Sequence, residues 1–402
     1  MATPSLTLDH LADLPKYTGI IADNKDVLIT NILMIGQEDD RMQVLKEDDD
    51  SVAARSPKAS MFGERLSMLR SVDECTIDAD GNPVAFIKGK DSGKKPIIVG
   101  AHLDIVLNDI DDLNLTVNEQ LISGPGVADN SVAVGTLATL PDILSALSIE
   151  LESDLYIVGF QESLGRSNLK SVRSFLENWK KDVRGAIMVE GIELGRLNYF
   201  TLGMIRGEVQ CQIPEITGWE NKGETNAILI LNEVINRIMA ISLPQRPRSR
   251  INIGRINAGM KFGDIALSGR LGFEVMSDSF QMVEQIYMDI HDIVESLAYE
   301  NQVDMTIDKL SDVGAYSLGY NHPLVKSAIA VMEALDIKPK INFSESELAI
   351  FLARNIPTIT LGLTHGENIH KENATVDINT LFTGIAQLVG VIQAIDGGVC
   401  DG

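Results

Sequence analysis

Four short, almost wholly apolar runs are spaced along the chain, and helical patterns lie between and after them. The runs occupy residues 96–101, 155–160, 186–189 and 358–363. Uninterrupted apolar runs of this length are typical of strands that are buried on both faces. Apolar residues at three- and four-residue intervals predict helices near residues 132–148, 168–180, 323–336, 346–354 and 377–396. This alternation predicts an α/β domain, in which helices cover a mostly parallel sheet.

The middle of the chain has a different pattern. It predicts strand, helix, strand, strand, helix and strand near residues 203–213, 225–242, 249–257, 265–275, 278–299 and 302–309. This order is that of the ferredoxin-like α+β arrangement. We therefore predict a ferredoxin-like domain at residues 205–308, inserted into a discontinuous domain formed by residues 1–204 and 309–402.

The region before the first apolar run predicts a helical segment followed by a hairpin. Residues up to about 72 have apolar positions at helical spacing. Residues 72–87 are typical of two strands joined by a turn at Asp80-Gly81.

The charge and the cysteine content of the chain limit which binding partners and which cellular compartment we expect. The net charge is −23, from 57 acidic and 34 basic residues. A surface this acidic disfavours nucleic acid and anionic membranes, because both are polyanions. The three widely spaced cysteines form neither a zinc-finger pattern nor a disulfide framework, which favours a cytoplasmic location. We find no signal peptide and no apolar stretch of transmembrane length, and we expect no membrane partner.

Each of the four apolar runs leads into potential metal ligands. His102, Gln161-Glu162 and Glu190 directly follow the first three runs, and His365 and His370 follow the fourth. Asp129 lies in a glycine-rich loop that precedes a helix. The carboxyl ends of parallel strands meet at one edge of a sheet, where ligands bind. Taken singly, each carboxylate could equally be a helix cap, and Asp104 could cap a turn.

Together these side chains predict a metal site. Two histidines and three carboxylates at one edge would be costly to desolvate unless a cation joined them. Mixed imidazole and carboxylate ligands suit zinc, and also manganese or cobalt. With one shared carboxylate, five ligands can hold two ions, an arrangement known in hydrolytic enzymes.

The motifs resemble those of the aminoacylase, acetylornithine deacetylase and carboxypeptidase superfamily of dinuclear zinc metallopeptidases. The similar stretches are residues 100–104, 124–131, 188–197 and 362–370. The resemblance runs from about residue 72 to the C-terminus. It implies a zinc-exopeptidase type of α/β fold with an inserted lid domain, two zinc ions, and a homodimer formed through the lid.

The resemblance also implies roles for individual residues. Asp129 would bridge the two ions, with His102 and Glu190 completing one site, and Glu162 and His370 completing the other. Asp104 would support the His102 ring from behind. His365 is expected to be a loop or pocket residue rather than a ligand.

Three positions depart from the family pattern. Gln161 occupies the position where the family has its general-base glutamate, and glutamine cannot accept a proton from water. In the other register, Glu162 is the base and Ser163, a poor ligand, takes the metal position. In the lid, Thr217 stands where the family often has an oxyanion-stabilising histidine, and Gly263 stands where it has an asparagine. Loss of a general base or an oxyanion donor costs about 100-fold or more in rate.

Two functional hypotheses follow from the resemblance and its departures. The first is a hydrolase of amide bonds that uses metal-activated water and acts on a small peptide or an N-acylated amino acid. The second is a catalytically degenerate homologue that binds metal and acts as a binding or regulatory dimer. No glycine-rich phosphate loop follows any strand, which argues against a nucleotide-binding protein.

Overall fold

The computed structural model describes residues 9–38, 56–105, 112–163, 169–214, 225–344 and 346–401. Its helices are α1 (Leu14–Asp23), α2 (Lys25–Gly36), α3 (Pro57–Ser67), α4 (Val132–Ala146), α5 (Lys170–Asn178), α6 (Ala227–Met239), α7 (Phe280–Asn301), α8 (Pro323–Ala334), α9 (Leu348–Ala353) and α10 (Ile378–Asp396). Its strands are β1 (Glu74–Ile77), β2 (Pro83–Ile87), β3 (Ile97–His102), β4 (Thr116–Val117), β5 (Leu121–Ser123), β6 (Leu155–Phe160), β7 (Gly185–Ile192), β8 (Arg196–Asn198), β9 (Gly203–Gln212), β10 (Ser249–Ala258), β11 (Ser268–Ser277), β12 (Asp304–Val313), β13 (Lys340–Ile341), β14 (Thr358–Thr364), β15 (Gly366–Glu367) and β16 (Thr375–Asp377).

The four apolar runs form the centre of the largest sheet. Over the described part of the chain, the strand order of this sheet is β1-β2-β6-β3-β7-β14-β8-β13. The central strands β6, β3, β7 and β14 are parallel to one another. Strand β2 pairs antiparallel with β1 and β6, and β8 pairs antiparallel with β14. The α/β class is therefore confirmed, with a sheet that is parallel at its centre and mixed overall.

Helix α10 is a long apolar helix that packs against β14 of this sheet. A Cβ at Gly384 would overlap the Leu363 carbonyl oxygen, so glycine lets the helix approach β14 closely. The helix is long and apolar enough to cross a membrane, although 78% of its 18-residue window is buried in the protein. The prediction that no segment reaches this length is therefore wrong for α10. A helix buried on all sides is apolar all round, like a membrane span.

The chain divides into two compact units, one formed by Met1–Phe200 with Ser317–Gly402 and the other by Thr201–Tyr316. In the second unit, an antiparallel sheet has the order β10-β11-β9-β12. Helices α6 and α7 bury residues such as Val234 and Ile290 in a core that also contains Leu271 of β11. The element order and the strand order are those of the ferredoxin-like arrangement.

A small third sheet was not predicted from the sequence. Its order among the described strands is β15-β16-β5-β4, and all neighbouring pairs are antiparallel. Each strand has only two or three residues. Such strands are too short to show a periodicity of two, so sequence patterns do not reveal them.

Candidate metal centre

His102 ends β3 with a buried ring that a main-chain group orients. Its Nδ1 lies 3.1 Å from the carbonyl oxygen of Asp104 and donates to it. Its Nε2 lies 3.1 Å from Asp129 Oδ1 and 3.6 Å from Glu190 Oε2. The Asp104 carboxylate is 3.9 Å from Nδ1 and accepts a hydrogen bond from the Ser163 N–H. The main-chain carbonyl of Asp104, rather than its carboxylate, therefore makes the closer contact with the ring.

Asp129 presents its two carboxylate oxygens to two different histidines. Oδ1 is 3.1 Å from His102 Nε2, and Oδ2 is 3.1 Å from His370 Nε2. The Asp129 side chain is 17% exposed, whereas that of His370 is 65% exposed. One carboxylate shared in this way has the geometry that a bridge between two cations requires.

Asn130 connects the Asp129 loop to the strand that carries Glu190. Its Nδ2 donates to the Val189 carbonyl oxygen at 3.0 Å, and its Oδ1 accepts from the Gly191 N–H at 2.6 Å. These two main-chain groups flank Glu190. A Cβ at Gly191 would overlap the carbonyl oxygen of the loop residue Ala128, so the loop packs directly on β7. The fully buried Asn130 amide therefore sets the position of Asp129 relative to Glu190.

The small third sheet brings His370 to Asp129. His370 lies between β15 and β16, which form a hairpin. Strand β16 pairs with β5, which leads into the Asp129 loop, and the Gly124 N–H donates to the Ala374 carbonyl oxygen at 2.9 Å. Two segments that are distant in sequence are therefore held in register immediately beside the site.

Burial and opposite charges shift the pKa values of the site in opposite directions. Burial alone would lower the pKa of His102, but hydrogen bonds and charges from Asp129 and Glu190 raise it well above its usual value. Burial alone would raise the pKa of Asp129, but contacts with both histidines hold it well below its usual value. The contact with Asp129 also raises the pKa of His370. In the metal-free protein, contact with Asp129 therefore favours the protonated form of both histidines.

Glu162 does not join this cluster. Its carboxylate lies 3.8 Å from Lys170 Nζ, and its backbone has a φ of 48°, which is unusual for a residue other than glycine. In this region of the described chain, the donors that all lie within 4.8 Å of one another belong to His102, Asp129 and Glu190. With His370 on the second oxygen of Asp129, four of the five predicted ligands lie together.

The Gln161 side chain is hydrogen-bonded to main-chain groups. Its Oε1 accepts from the Ser56 N–H at 2.8 Å, and its Nε2 donates to the Asp80 carbonyl oxygen at 3.1 Å. The residue is 4% exposed. Both ends of the amide are therefore engaged with segments that lie outside the cluster of His102, Asp129, Glu190 and His370.

The remaining predicted residues lie elsewhere. Thr217 lies outside the described residues. Gly263 is in the loop between β10 and β11, and a Cβ there would meet no atom within 4 Å. His365 is exposed, and its main-chain oxygen accepts from the Asp377 N–H. A second group of side chains of the types that bind metals lies on the surface of α7 and consists of His291, Asp292 and Glu295. We do not assign a metal site to it, because exposed acidic groups are common on protein surfaces.

The sequence analysis missed two buried charged residues, Glu347 and Lys58. Glu347 is 1% exposed, and burial raises its pKa, while the His102 and Glu190 charges have smaller, opposing effects. Among the described residues, its Oε1 has no hydrogen-bond partner. Lys58 is completely buried, and its Nζ lies 3.2 Å from Ser131 Oγ. Neither residue follows an apolar run, so the strand-end pattern could not identify them.

The chemistry of the cluster fits a divalent cation. Two imidazole nitrogens and two carboxylates converge, and mixed nitrogen and oxygen ligands suit zinc, manganese or cobalt. The Asp129 carboxylate is 17% exposed and lies 3.1 Å from both histidines, and a buried carboxylate requires positive charge or hydrogen-bond donors beside it. A cation can supply that charge when the histidines lose their protons.

Comparisons with known proteins agree with the fold. No protein-family model matches the chain, and no curated protein matches it by sequence. The dipeptidase Dug1p from Saccharomyces cerevisiae is similar in structure, with a TM-score of 0.75 and 13% identity over 96% of this chain and 99% of that one. A tripeptidase from Staphylococcus aureus gives a TM-score of 0.71 with 16% identity, covering 92% and 98%. The M20 family metallo-carboxypeptidase Sso-CP2 from Sulfolobus solfataricus gives a TM-score of 0.70 with 13% identity, covering 92% and 99%.

These similarities define the class of fold. The chain shares the fold of these three peptidases, one of which is an M20 family metallo-carboxypeptidase, so the resemblance drawn from the motifs is confirmed for the fold. The identities are too low to carry over a substrate, and function has to be inferred from the site itself.

Proposed function

We propose that this chain is a metal-dependent hydrolase of amide bonds in small substrates. The observation that carries the proposal is the Asp129 carboxylate, whose two oxygens each contact a different histidine, with Glu190 beside one of them. In this arrangement, the shared carboxylate can join two cations. We infer that His102, Asp129 and Glu190 hold one ion and that Asp129 and His370 hold the other. Glu162 lies beside Lys170 and would have to turn toward the second ion to complete its ligands.

Bound zinc, or manganese or cobalt in its place, would supply Lewis-acid polarisation of a carbonyl group and an activated water. The chain's own residues prepare the site for this chemistry. Asp104 fixes the His102 ring so that Nε2 faces the carboxylates. Asn130 keeps Asp129 and Glu190 in a fixed relation, which limits reorganisation when substrate binds.

The substrate class that we propose is a small peptide, a dipeptide or an N-acyl-amino acid. Structures similar to this one include a dipeptidase, a tripeptidase and human carnosine dipeptidase 1, the last with a TM-score of 0.68 and 12% identity over 96% of this chain and 100% of that one. Shared fold at this level of identity supports the class of bond that is cleaved, while side-chain specificity depends on residues that differ between these proteins.

We also propose that the unit formed by Thr201–Tyr316 is a lid that mediates a homodimer in the cytoplasm. Exposed apolar side chains support this role, because such side chains often mark interfaces. Met260 and Phe262, in the loop after the edge strand β10, are fully exposed, and Leu229 of α6 is 64% exposed. Cys75, Cys211 and Cys400 form no disulfide bond with one another, which agrees with a reducing compartment. Sedimentation of the wild type and of Phe262→Asp tests the dimer, since a monomeric wild type would exclude it.

A catalytically degenerate metal-binding dimer is the second candidate. It is favoured by Gln161, which stands at the general-base position of the family, and by Thr217 and Gly263 at its lid positions. In this case the protein would bind metal and a small ligand without turnover.

Reconstitution with metal distinguishes the two candidates. Protein loaded with zinc, manganese or cobalt is assayed against dipeptides and N-acetyl-amino acids, with metal content measured on the same samples. We expect hydrolysis that a chelator abolishes and that added metal restores, and Asp129→Asn should remove it. Stoichiometric metal without hydrolysis of any substrate would favour the degenerate homologue. A protein that binds no metal would contradict both.

A further inference from the structure

The first turn of α3 contacts two separate segments that carry metal-site residues. Ser56 is the N-cap of this helix, because its Oγ accepts from the Ala59 N–H at 3.0 Å. The Ser56 N–H donates in turn to Gln161 Oε1, at the end of β6 and next to Glu162. Two residues further along, Lys58 Nζ contacts Ser131 Oγ, two residues after Asp129.

The contacts of Gln161 require an amide rather than a carboxylate. Its Oε1 accepts a hydrogen bond from Ser56, and its Nε2 donates one to the Asp80 carbonyl oxygen. A glutamate could accept from Ser56, but it would place a charged oxygen against the Asp80 carbonyl. The Gln161 main chain is also fixed, since its N–H donates to Asn82 Oδ1 and its carbonyl oxygen accepts from Ser171 Oγ.

Lys58, in the same first turn of α3, contacts the second segment, the Asp129 loop. Its side chain is completely buried, and its ammonium group contacts the loop that carries Asp129. A buried ammonium group is retained only where the surroundings compensate for its lost hydration. Ser131, which Lys58 contacts, lies two residues after Asp129 in the same loop, so the ammonium group is bound to the segment that carries this carboxylate.

We propose that residues 56–58 form a brace between the Asp129 loop and the end of β6, and that Gln161 is a positioning residue of this brace. This inference rests on the proposed function and deepens it. Gln161 fixes the strand end from which Glu162 projects, and it does not face the water that attacks the substrate. The substitution of glutamine for the family's glutamate is then explained by the Ser56 and Asp80 contacts, and it is no sign of lost activity.

The brace and simple electrostatics predict opposite changes in metal affinity when Lys58 is replaced. A positive charge near a cation site repels the cation, so replacing Lys58 by methionine should raise metal affinity if only charge matters. If Lys58 positions the Asp129 loop, Lys58→Met should instead lower Mn²⁺ affinity about 10-fold or more, as is usual for residues that orient ligands. Gln161→Glu should lower it similarly and should not raise the rate of hydrolysis.

Arg65→Met is the matched control. It removes a positive charge from the same helix, together with hydrogen bonds to Asn31 and Asp142, and it leaves every contact of residues 56–58 in place. It should lower the unfolding midpoint of the metal-free protein and leave Mn²⁺ affinity within about twofold. Calorimetric Mn²⁺ titration, the electron paramagnetic resonance spectrum of bound Mn²⁺, and thermal unfolding of the metal-free form are measured for all four proteins.

The outcomes separate the brace from a purely structural role and from the proposed function. Loss of affinity with an altered spectrum in Gln161→Glu and Lys58→Met, but not in Arg65→Met, supports the brace. Affinity that simply follows thermal stability across the three variants overturns it, as does a large gain of hydrolysis in Gln161→Glu. A wild type that binds Mn²⁺ but hydrolyses no substrate defeats the proposed hydrolase while the affinity comparison still decides the brace.

Discussion

Asp129 and His370 are 241 positions apart in the chain, yet His370 Nε2 lies 3.1 Å from Asp129 Oδ2. The contact depends on the pairing of β16 with β5. Strand β5 precedes the loop that carries Asp129, and β16 follows the loop that carries His370. The other Asp129 oxygen contacts His102, which comes from the central strand β3. The small sheet thus joins the hairpin that carries His370 to the strand that leads into the Asp129 loop.

Asp129→Asn should remove most of the metal binding. An amide has one oxygen, so it can replace only one of the two contacts that the carboxylate makes with His102 and His370. We expect metal affinity to fall more than about 100-fold, beyond the usual effect of changing a group that only orients a ligand. Metal analysis after dialysis measures this loss. Asp91→Asn, at an exposed loop position, makes the same chemical change away from the site and should bind metal like the wild type.

Asn130→Asp should weaken the site without touching a ligand. The carboxylate cannot donate to the Val189 carbonyl oxygen, so this buried acceptor loses its partner at a cost of about 1–3 kcal/mol. Since Asn130 also positions Asp129 relative to Glu190, we expect metal affinity to fall about 10- to 100-fold. Denaturant unfolding and metal titration measure the two effects. Asn198→Asp removes a donor that is also buried, to the Asn342 carbonyl oxygen, and should lower stability without changing metal affinity.

His370→Ala and His365→Ala form a matched pair, because both histidines are exposed and lie in one loop region. Only His370 contacts Asp129. We expect His370→Ala to reduce the metal content from about two ions per chain to about one, and His365→Ala to leave it unchanged. Metal content measured by mass spectrometry decides the point. Equal losses of metal in both variants would mean that metal binding depends on the conformation of the loop and not on the His370 ring.

The strand ends were predictable from sequence because an apolar run indicates a buried strand, and the first polar residue after the run marks its end. The runs that become β3 and β7 place His102 and Glu190 at one edge of the sheet, and the structure has them 3.6 Å apart. Glu190 is also one residue from a glycine that lets the Asp129 loop pack closely. Local patterns of apolar residues predict which face of a strand or helix is buried and where that strand or helix ends.

The partners of Gln161 were not predictable in this way. Ser56 is 105 positions from Gln161 and Asp80 is 81 positions away, and neither lies in an apolar run. Hydrogen bonds between distant loops leave no periodic signal in a sequence. The same limit applies to Glu347 and Lys58, which are polar in sequence but buried in the fold.

Metal affinity should rise with pH because protons and the cation compete for the site. The pKa of His102 is well above its usual value in the metal-free protein, so the ring must lose a proton when a cation binds. One proton released per ion makes the apparent affinity rise about 10-fold per pH unit below that pKa. Metal titrations from pH 6 to pH 9 measure the slope, and a pH-independent affinity would exclude displacement of a proton.

The stability of the metal-free protein should have the opposite dependence. Since the folded-state pKa of His102 is raised, its stabilising contribution is complete below its unfolded pKa and is lost as pH rises through the folded value. The lowered pKa of Asp129 gives a contribution that is present above its unfolded pKa and is lost in acid. We therefore expect maximal stability in mildly acidic solution, and a decline at alkaline pH that bound metal reverses. Thermal unfolding with and without metal tests this.

Glu347→Gln should stabilise the metal-free protein at alkaline pH. Burial raises the pKa of Glu347, so the folded protein holds this proton more tightly than the unfolded chain does. That contribution is complete at low pH and is lost as the carboxyl ionises, which places an incompletely hydrogen-bonded charge inside the protein. A neutral glutamine avoids this cost, and we expect a gain on the order of 1 kcal/mol at pH 8 and little change at pH 4. Glu333→Gln, at an exposed position of α8, should have no effect at either pH. A loss of stability at pH 8 would mean that the charged form of Glu347 is required by the fold.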